Sequence, residues 1–165
     1  MKKFLIFFSF CIFMKISFAY ANNLYYGIDI DEIYNTSEWN SKEDIKSLID
    51  NYILLKTIKN KFSNCPDSIP DNIVCYDEIN HQILQNYYID FEENWNDYNN
   101  YRSAIQKSYS ILCQRIKIIG TSGEICHINA QSNVAKNLKE YTKTHILYID
   151  NILSHNFQFL QNVKL

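Results

Sequence analysis

Two long helical patterns meet at a glycine-containing corner between Cys113 and Cys126, and this corner constrains the fold more than any other segment. Gly120 can adopt the left-handed conformation that ends a helix, and Thr121 or Ser122 can cap the helix that follows. A disulfide across the corner would hold the two helices in antiparallel register. We therefore expect consecutive helices that run in opposite directions.

The first 21 residues have the features of a secretory signal peptide. Lys2 and Lys3 form a positive start, residues 4–13 are almost entirely apolar, and Ala19-Tyr20-Ala21 matches a small-x-small cleavage pattern. A permanent anchor helix is disfavoured because the apolar run is short for a bilayer. We expect cleavage near Ala21, no stable membrane anchor afterwards, and a periplasmic or secreted protein.

The charge of the expected mature chain limits its partners. Removing three lysines with the signal leaves 13 basic against 18 acidic residues, a net charge of -5 over 144 residues. An acidic surface disfavours nucleic acid and anionic membranes and is compatible with a basic protein partner. The length suits a single domain, and the bias towards Asn, Ile, Lys and Tyr is typical of AT-rich bacterial genomes.

Four cysteines remain after cleavage, at Cys65, Cys75, Cys113 and Cys126. An even number in an exported chain favours disulfides, and three pairings are possible. Sequential pairing is favoured because each pair then brackets a turn and leaves the helices between them undisturbed. A metal site would need closely spaced Cys or His, and only Cys126 has an adjacent histidine, His127.

The chain after the signal begins with an irregular arm over residues 22–40 that includes room for one short helix. Ser41 and Asp44 form a capping-box pattern that predicts the start of the first long helix. From there, residues 41–165 are predicted to form one helical domain. The apolar residues of the first helix recur at helical spacing, at Ile45, Leu48, Ile49, Tyr52, Leu55, Ile58 and Phe62.

A second helical pattern runs from Ile79 to Ile116 without Gly or Pro, and weak helix formers at Asn96–Asn100 suggest a bend or a split there. Beyond the corner, a last helix is predicted from apolar positions at Ile125, Ile128, Val134, Leu138, Tyr141, Ile149, Ile152 and Leu153. The fold class is therefore all-α, an up-and-down bundle of long antiparallel helices stapled by two disulfides.

No residue pattern indicates catalysis. The histidines lack the spacing of metal ligands, and the serines lack the surroundings of a nucleophile. Three glycines in the whole chain disfavour a phosphate-binding loop. We expect no enzyme activity, no cofactor and no bound metal, with the histidines at surface or packed positions: His81, His127, His145 and His155.

The aromatic and acidic segment after residue 86 is the best candidate for a partner-binding surface. Tyr and Trp bury much area at little entropic cost, and flanking acids can steer a basic partner. Aromatic residues at helical spacing are, however, more often core than surface. The candidate residues are Tyr88, Glu92, Glu93, Trp95, Asp97 and Tyr98.

The cysteine layout resembles that of the exported, all-helical family named for the lysozyme inhibitor LprI, over about residues 62–141. The resemblance rests on Cys65 and Cys75 ten residues apart, on Tyr101-Arg102 and Tyr109 before Cys113, and on Cys126 with its closing helix. Tyr109 stands where the family usually has Trp. The resemblance implies a periplasmic protein that binds lysozyme and covers its cleft. The alternative is an exported interaction or virulence-associated module without activity against lysozyme.

Overall fold

The computed structural model describes residues 24–36, 39–115 and 122–156. The predicted signal peptide, residues 1–21, and the corner residues Gly120 and Thr121 lie outside the described residues. The elements are β1 (Leu24–Tyr25), β2 (Ile28–Asp29), α1 (Ile30–Thr36), α2 (Lys42–Ser63), α3 (Ile69–Tyr87), α4 (Phe91–Arg115) and α5 (Ser122–Asn156). The all-α prediction with two disulfides is confirmed for the part of the chain described.

The described residues fall into two compact units, one ending at Asp50 and one spanning Asn51–Asn156. The first contains β1, β2 and α1, where the sequence predicted an irregular arm. The two short strands pair antiparallel through a turn at Tyr26 and Gly27, which have φ angles of 51° and 81°. Glycine adopts such angles without steric cost, so Gly27 makes the tight turn possible.

The predicted cap of α2 is confirmed. Ser41 precedes the helix, and its hydroxyl accepts a hydrogen bond from the Asp44 backbone N–H at 3.1 Å. The Ser41 hydroxyl in turn donates to the Asp44 carboxylate at 2.8 Å. These bonds satisfy a backbone donor that has no partner inside the helix, which explains why α2 begins here.

The helix predicted over Ile79–Ile116 is divided, and the division lies at Tyr88–Asp90. The suggested split at Asn96–Asn100 was wrong, because those residues lie within α4. Tyr88 is extended, with φ -117° and ψ 142°. Its side chain then reaches across to α5, so tertiary packing outweighs the local helical pattern.

Helices α3, α4 and α5 alternate in direction within the second unit. Asp77 of α3 pairs with Arg102 of α4, whereas His81, one turn later, meets Phe91 near the start of α4. Between α4 and α5, Tyr98 packs against Tyr141, and Cys113, later in α4, is bonded to Cys126, earlier in α5. In each pair of helices, a later residue of one contacts an earlier residue of the other, so the helices are antiparallel.

Both predicted disulfides are present. Cys65–Cys75 joins the end of α2 to α3 across a proline-containing turn, with Cα atoms 5.8 Å apart. Cys113–Cys126 joins the end of α4 to the start of α5, with Cα atoms 5.6 Å apart. Each bridge closes a short loop and so restricts the unfolded chain.

The core of the second unit lies where α3, α4 and α5 meet, with Tyr76, Leu84, Tyr98, Val134 and Leu138 buried. Not every apolar position of the predicted helical faces is covered. Near the second disulfide, three of these positions on α4 and α5 are more than half exposed: Leu112, Ile125 and Ile128.

Candidate functional site

The three aromatic residues of the predicted partner-binding set lie along one network of aromatic rings. Trp95 stacks on Phe91 and on Tyr98, with ring centroids 6.2 and 5.3 Å apart, and Tyr98 packs against Tyr141 of α5. His81 of α3 meets the Trp95 ring edge-on at 4.9 Å. The network joins three helices. The alternative that aromatic residues at helical spacing belong to the core therefore applies to Phe91, Trp95 and Tyr98.

Tyr98 is a correction to the candidate surface, because it is fully buried at 0% exposure. Its hydroxyl donates to the Asp77 carboxylate at 2.5 Å, and Arg102 binds both oxygens of the same carboxylate at 2.9 Å. Burial, together with the bond to Asp77, raises the pKa of Tyr98 well above its usual value. Tyr98 therefore holds α3 to α4 and cannot contact a partner.

Tyr88 anchors the other end of the network. Its hydroxyl lies 2.7 Å from Nδ1 of His145, and the His145 ring stacks on Tyr141 at 4.3 Å. Burial lowers the pKa of His145 below its usual value, because the protonated ring loses its hydration there. Tyr88 is only half-buried, so part of its ring remains accessible.

The three candidate acids are exposed, as a partner surface requires: Glu92, Glu93 and Asp97. Glu93 and Asp97 are four residues apart, so they lie on the same face of α4 as Tyr101 one turn further on. Burial raises the pKa of Tyr141, and the charge of Asp97 acts in the same direction. Glu92 occupies the neighbouring face of α4.

Sequence reasoning missed the connector between α3 and α4. Ile89 is 97% exposed, the highest value among the large apolar side chains of the described residues. It falls outside the helical spacing of the apolar residues around it, which is why it did not enter the predicted core. An isoleucine outside the helical spacing and followed by Asp90 was the feature of the sequence that could have indicated a turn there.

Two grooves open on the second unit. One, of about 340 Å³, is lined by Lys61, Asp77, Glu78, His81, Gln82 and Trp95. The other, of about 240 Å³, is lined by Tyr52, Leu55, Lys56, Lys59 and Asp150. Ion pairs at 2.8 and 3.0 Å engage Lys61 with Glu78 and Lys59 with Asp150. Each groove is therefore lined in part by an ion pair.

The described ranges contain no group of three His, Cys, Asp or Glu residues placed to hold a metal ion. Within the same ranges, the helices are too short or too polar to cross a bilayer. The two formed disulfides are typical of an oxidising compartment outside the cytoplasm.

No family model, curated protein or solved structure matches this chain. The similarity to LprI-type proteins therefore remains a prediction from cysteine spacing and the aromatic segment. The structure adds the exposure of the acidic side chains and the two disulfides.

Proposed function

We propose that this chain is an exported periplasmic protein that inhibits lysozyme by covering its substrate cleft, as expected from its resemblance to LprI-type inhibitors. The observation that carries the proposal is the pairing of Cys65 with Cys75 and of Cys113 with Cys126 in a helical unit whose exposed side chains include an acidic group. The chain itself performs no chemistry. It prevents substrate from entering the cleft.

Charge distribution supports a basic partner. Residues 62–101 contain eight Asp and Glu and no Lys or Arg. Lys61 and Arg102, which flank this segment, pair with Glu78 and Asp77. Lysozymes are commonly basic, so the remaining acids would attract such a protein and speed its encounter.

The proposal is tested by a peptidoglycan-clearing assay with residues 22–165 and purified lysozymes of several types, at low and moderate salt. Inhibition of at least one type, stronger at low salt, is the expected result. A charge-reversed variant carrying Glu92→Lys and Glu93→Lys is the matched comparison and should inhibit less at low salt. Absence of inhibition by the unmodified protein at micromolar excess would reject the proposal.

The second candidate is an exported interaction module whose partner surface lies outside the LprI-like segment. It is favoured by the separate compact unit that ends at Asp50, since β1, β2 and α1 have no counterpart in the resemblance. A chain that starts at Asn40 retains the cap of α2 and removes only these elements. If it captures every envelope protein that the chain from Asn22 captures, this candidate loses its support.

A further inference from the structure

We infer that the α3–α4 connector, Tyr88–Asp90, is the element that docks into the partner, with Ile89 entering an apolar pocket in the cleft of a basic protein. The inference rests on the proposed function and specifies which residues would perform it. The connector replaces the buried Tyr98 as the centre of the candidate surface.

Exposure alone is a weak indication, because single apolar side chains are common on protein surfaces. Ile89 differs because it projects from a connector of three residues between two helices. Such a short connector leaves the backbone at Ile89 little freedom to move without shifting α3 or α4. The apolar surface of Ile89 therefore stays available to a partner, and its burial there would contribute binding energy.

Both ends of the connector are fixed. Just before it, the Tyr87 hydroxyl donates to the Asn51 carbonyl at 2.6 Å, and at its first residue Tyr88 bonds to His145 at 2.7 Å. Just after it, Phe91 packs edge-on against His81, with ring centroids 5.1 Å apart. A connector that is held in place before binding loses little conformational entropy on binding, and this favours high affinity.

Exposed acids lie next to Ile89 in the chain. Asp90, Glu92 and Glu93 follow Ile89 directly in the chain, and no Lys or Arg lies within residues 62–101. An apolar centre with a polar rim is the usual arrangement of a protein interface. The complementary surface on a basic partner is an apolar pocket bordered by Lys or Arg.

The test compares Ile89→Ser with Val74→Ser. Val74 is also an exposed apolar residue, but it lies on α3, away from the connector in the chain. Affinity for the lysozymes of the clearing assay is measured by calorimetry. Loss of a buried isoleucine should weaken binding about 10- to 100-fold, whereas Val74→Ser should change it less than about twofold. Both variants should keep the thermal unfolding midpoint, because both side chains are exposed, so lost binding cannot reflect misfolding.

A Tyr88→Phe variant tests the anchoring of the connector independently. It keeps Ile89 and removes the bond between the Tyr88 hydroxyl and His145. It should bind more weakly, by up to about 10-fold, because a connector that is less firmly held loses more conformational entropy on binding. Equal affinity of Ile89→Ser and the unmodified protein for a lysozyme would overturn the docking role and leave inhibition standing. If the unmodified protein binds none of the lysozymes, both the docking role and the proposed function are rejected.

Discussion

The hydroxyl of Tyr88 and Nδ1 of His145 lie 2.7 Å apart and connect the α3–α4 connector to α5. The bond exists because α3 ends at Tyr87, which leaves Tyr88 extended and able to reach α5. His145 is held between this hydroxyl and the Tyr141 ring. His145 therefore helps to fix the connector that carries Ile89.

Acidification is expected to destabilise the second unit through His145. Because burial lowers its pKa in the folded state, the unfolded chain takes up this proton first as the pH falls. The stabilising contribution is complete above about pH 6.5, the ordinary value, and declines as the pH falls towards the folded-state pKa. Urea unfolding between pH 7.5 and pH 5 measures it.

The control for this prediction replaces an exposed histidine. His145→Gln should flatten the dependence of the free energy of unfolding on pH, whereas His127→Gln should leave it unchanged. The groups that face His145 are Tyr88 and Tyr141, and both remain neutral over this range. Identical pH profiles for His145→Gln and the unmodified protein would contradict the assignment.

Tyr98→Phe should lower the free energy of unfolding by about 1–2 kcal/mol, because it removes a hydrogen bond to a partly buried carboxylate. Tyr109→Phe is the matched control, since its hydroxyl only accepts a longer bond of 3.2 Å from Asn137. Urea denaturation at pH 7 compares the two variants. A loss from Tyr98→Phe no greater than that from Tyr109→Phe would show that the Asp77 contact adds little stability.

Each disulfide should contribute about 2–3 kcal/mol, because the closed loops have sequence separations of 10 and 13. Double serine variants at Cys65 with Cys75, and at Cys113 with Cys126, should each unfold at lower urea concentration. The reduced, unmodified protein is the control and should be less stable than either double variant. An unchanged midpoint in one double variant would mean that its bridge does not constrain the unfolded chain.

The exposed acids are expected to act on the rate of association. Glu92→Gln and Glu93→Gln should slow binding to a basic lysozyme at low salt and have little effect on dissociation. Glu43→Gln, which removes the same charge in the other compact unit, is the comparison. Stopped-flow binding at two salt concentrations measures both rates. Equal slowing by Glu43→Gln would indicate an effect of net charge without a local site.

Much of the fold could be predicted because its determinants are local. The capping pattern at Ser41 specifies the start of α2, and helical spacing identified core positions such as Ile79 and Leu138. Cysteine pairing followed from loops that close over short distances. Part of the candidate surface was also predicted correctly as exposed, because the charged side chains of Glu92 and Glu93 are costly to bury.

The amino-acid sequence by itself determined the helical segments, the cap of α2 and the cysteines available for pairing, since these depend on neighbours along the chain. Only the tertiary structure decided that α3 ends at Tyr87, that Tyr98 is buried and that Ile89 is exposed. These outcomes depend on contacts of α3 with α4 and α5, at separations from 21 residues for Asp77 with Tyr98 to 57 for Tyr88 with His145. Helical periodicity carries no information about such distant partners, so it cannot distinguish an anchored aromatic ring from an accessible one.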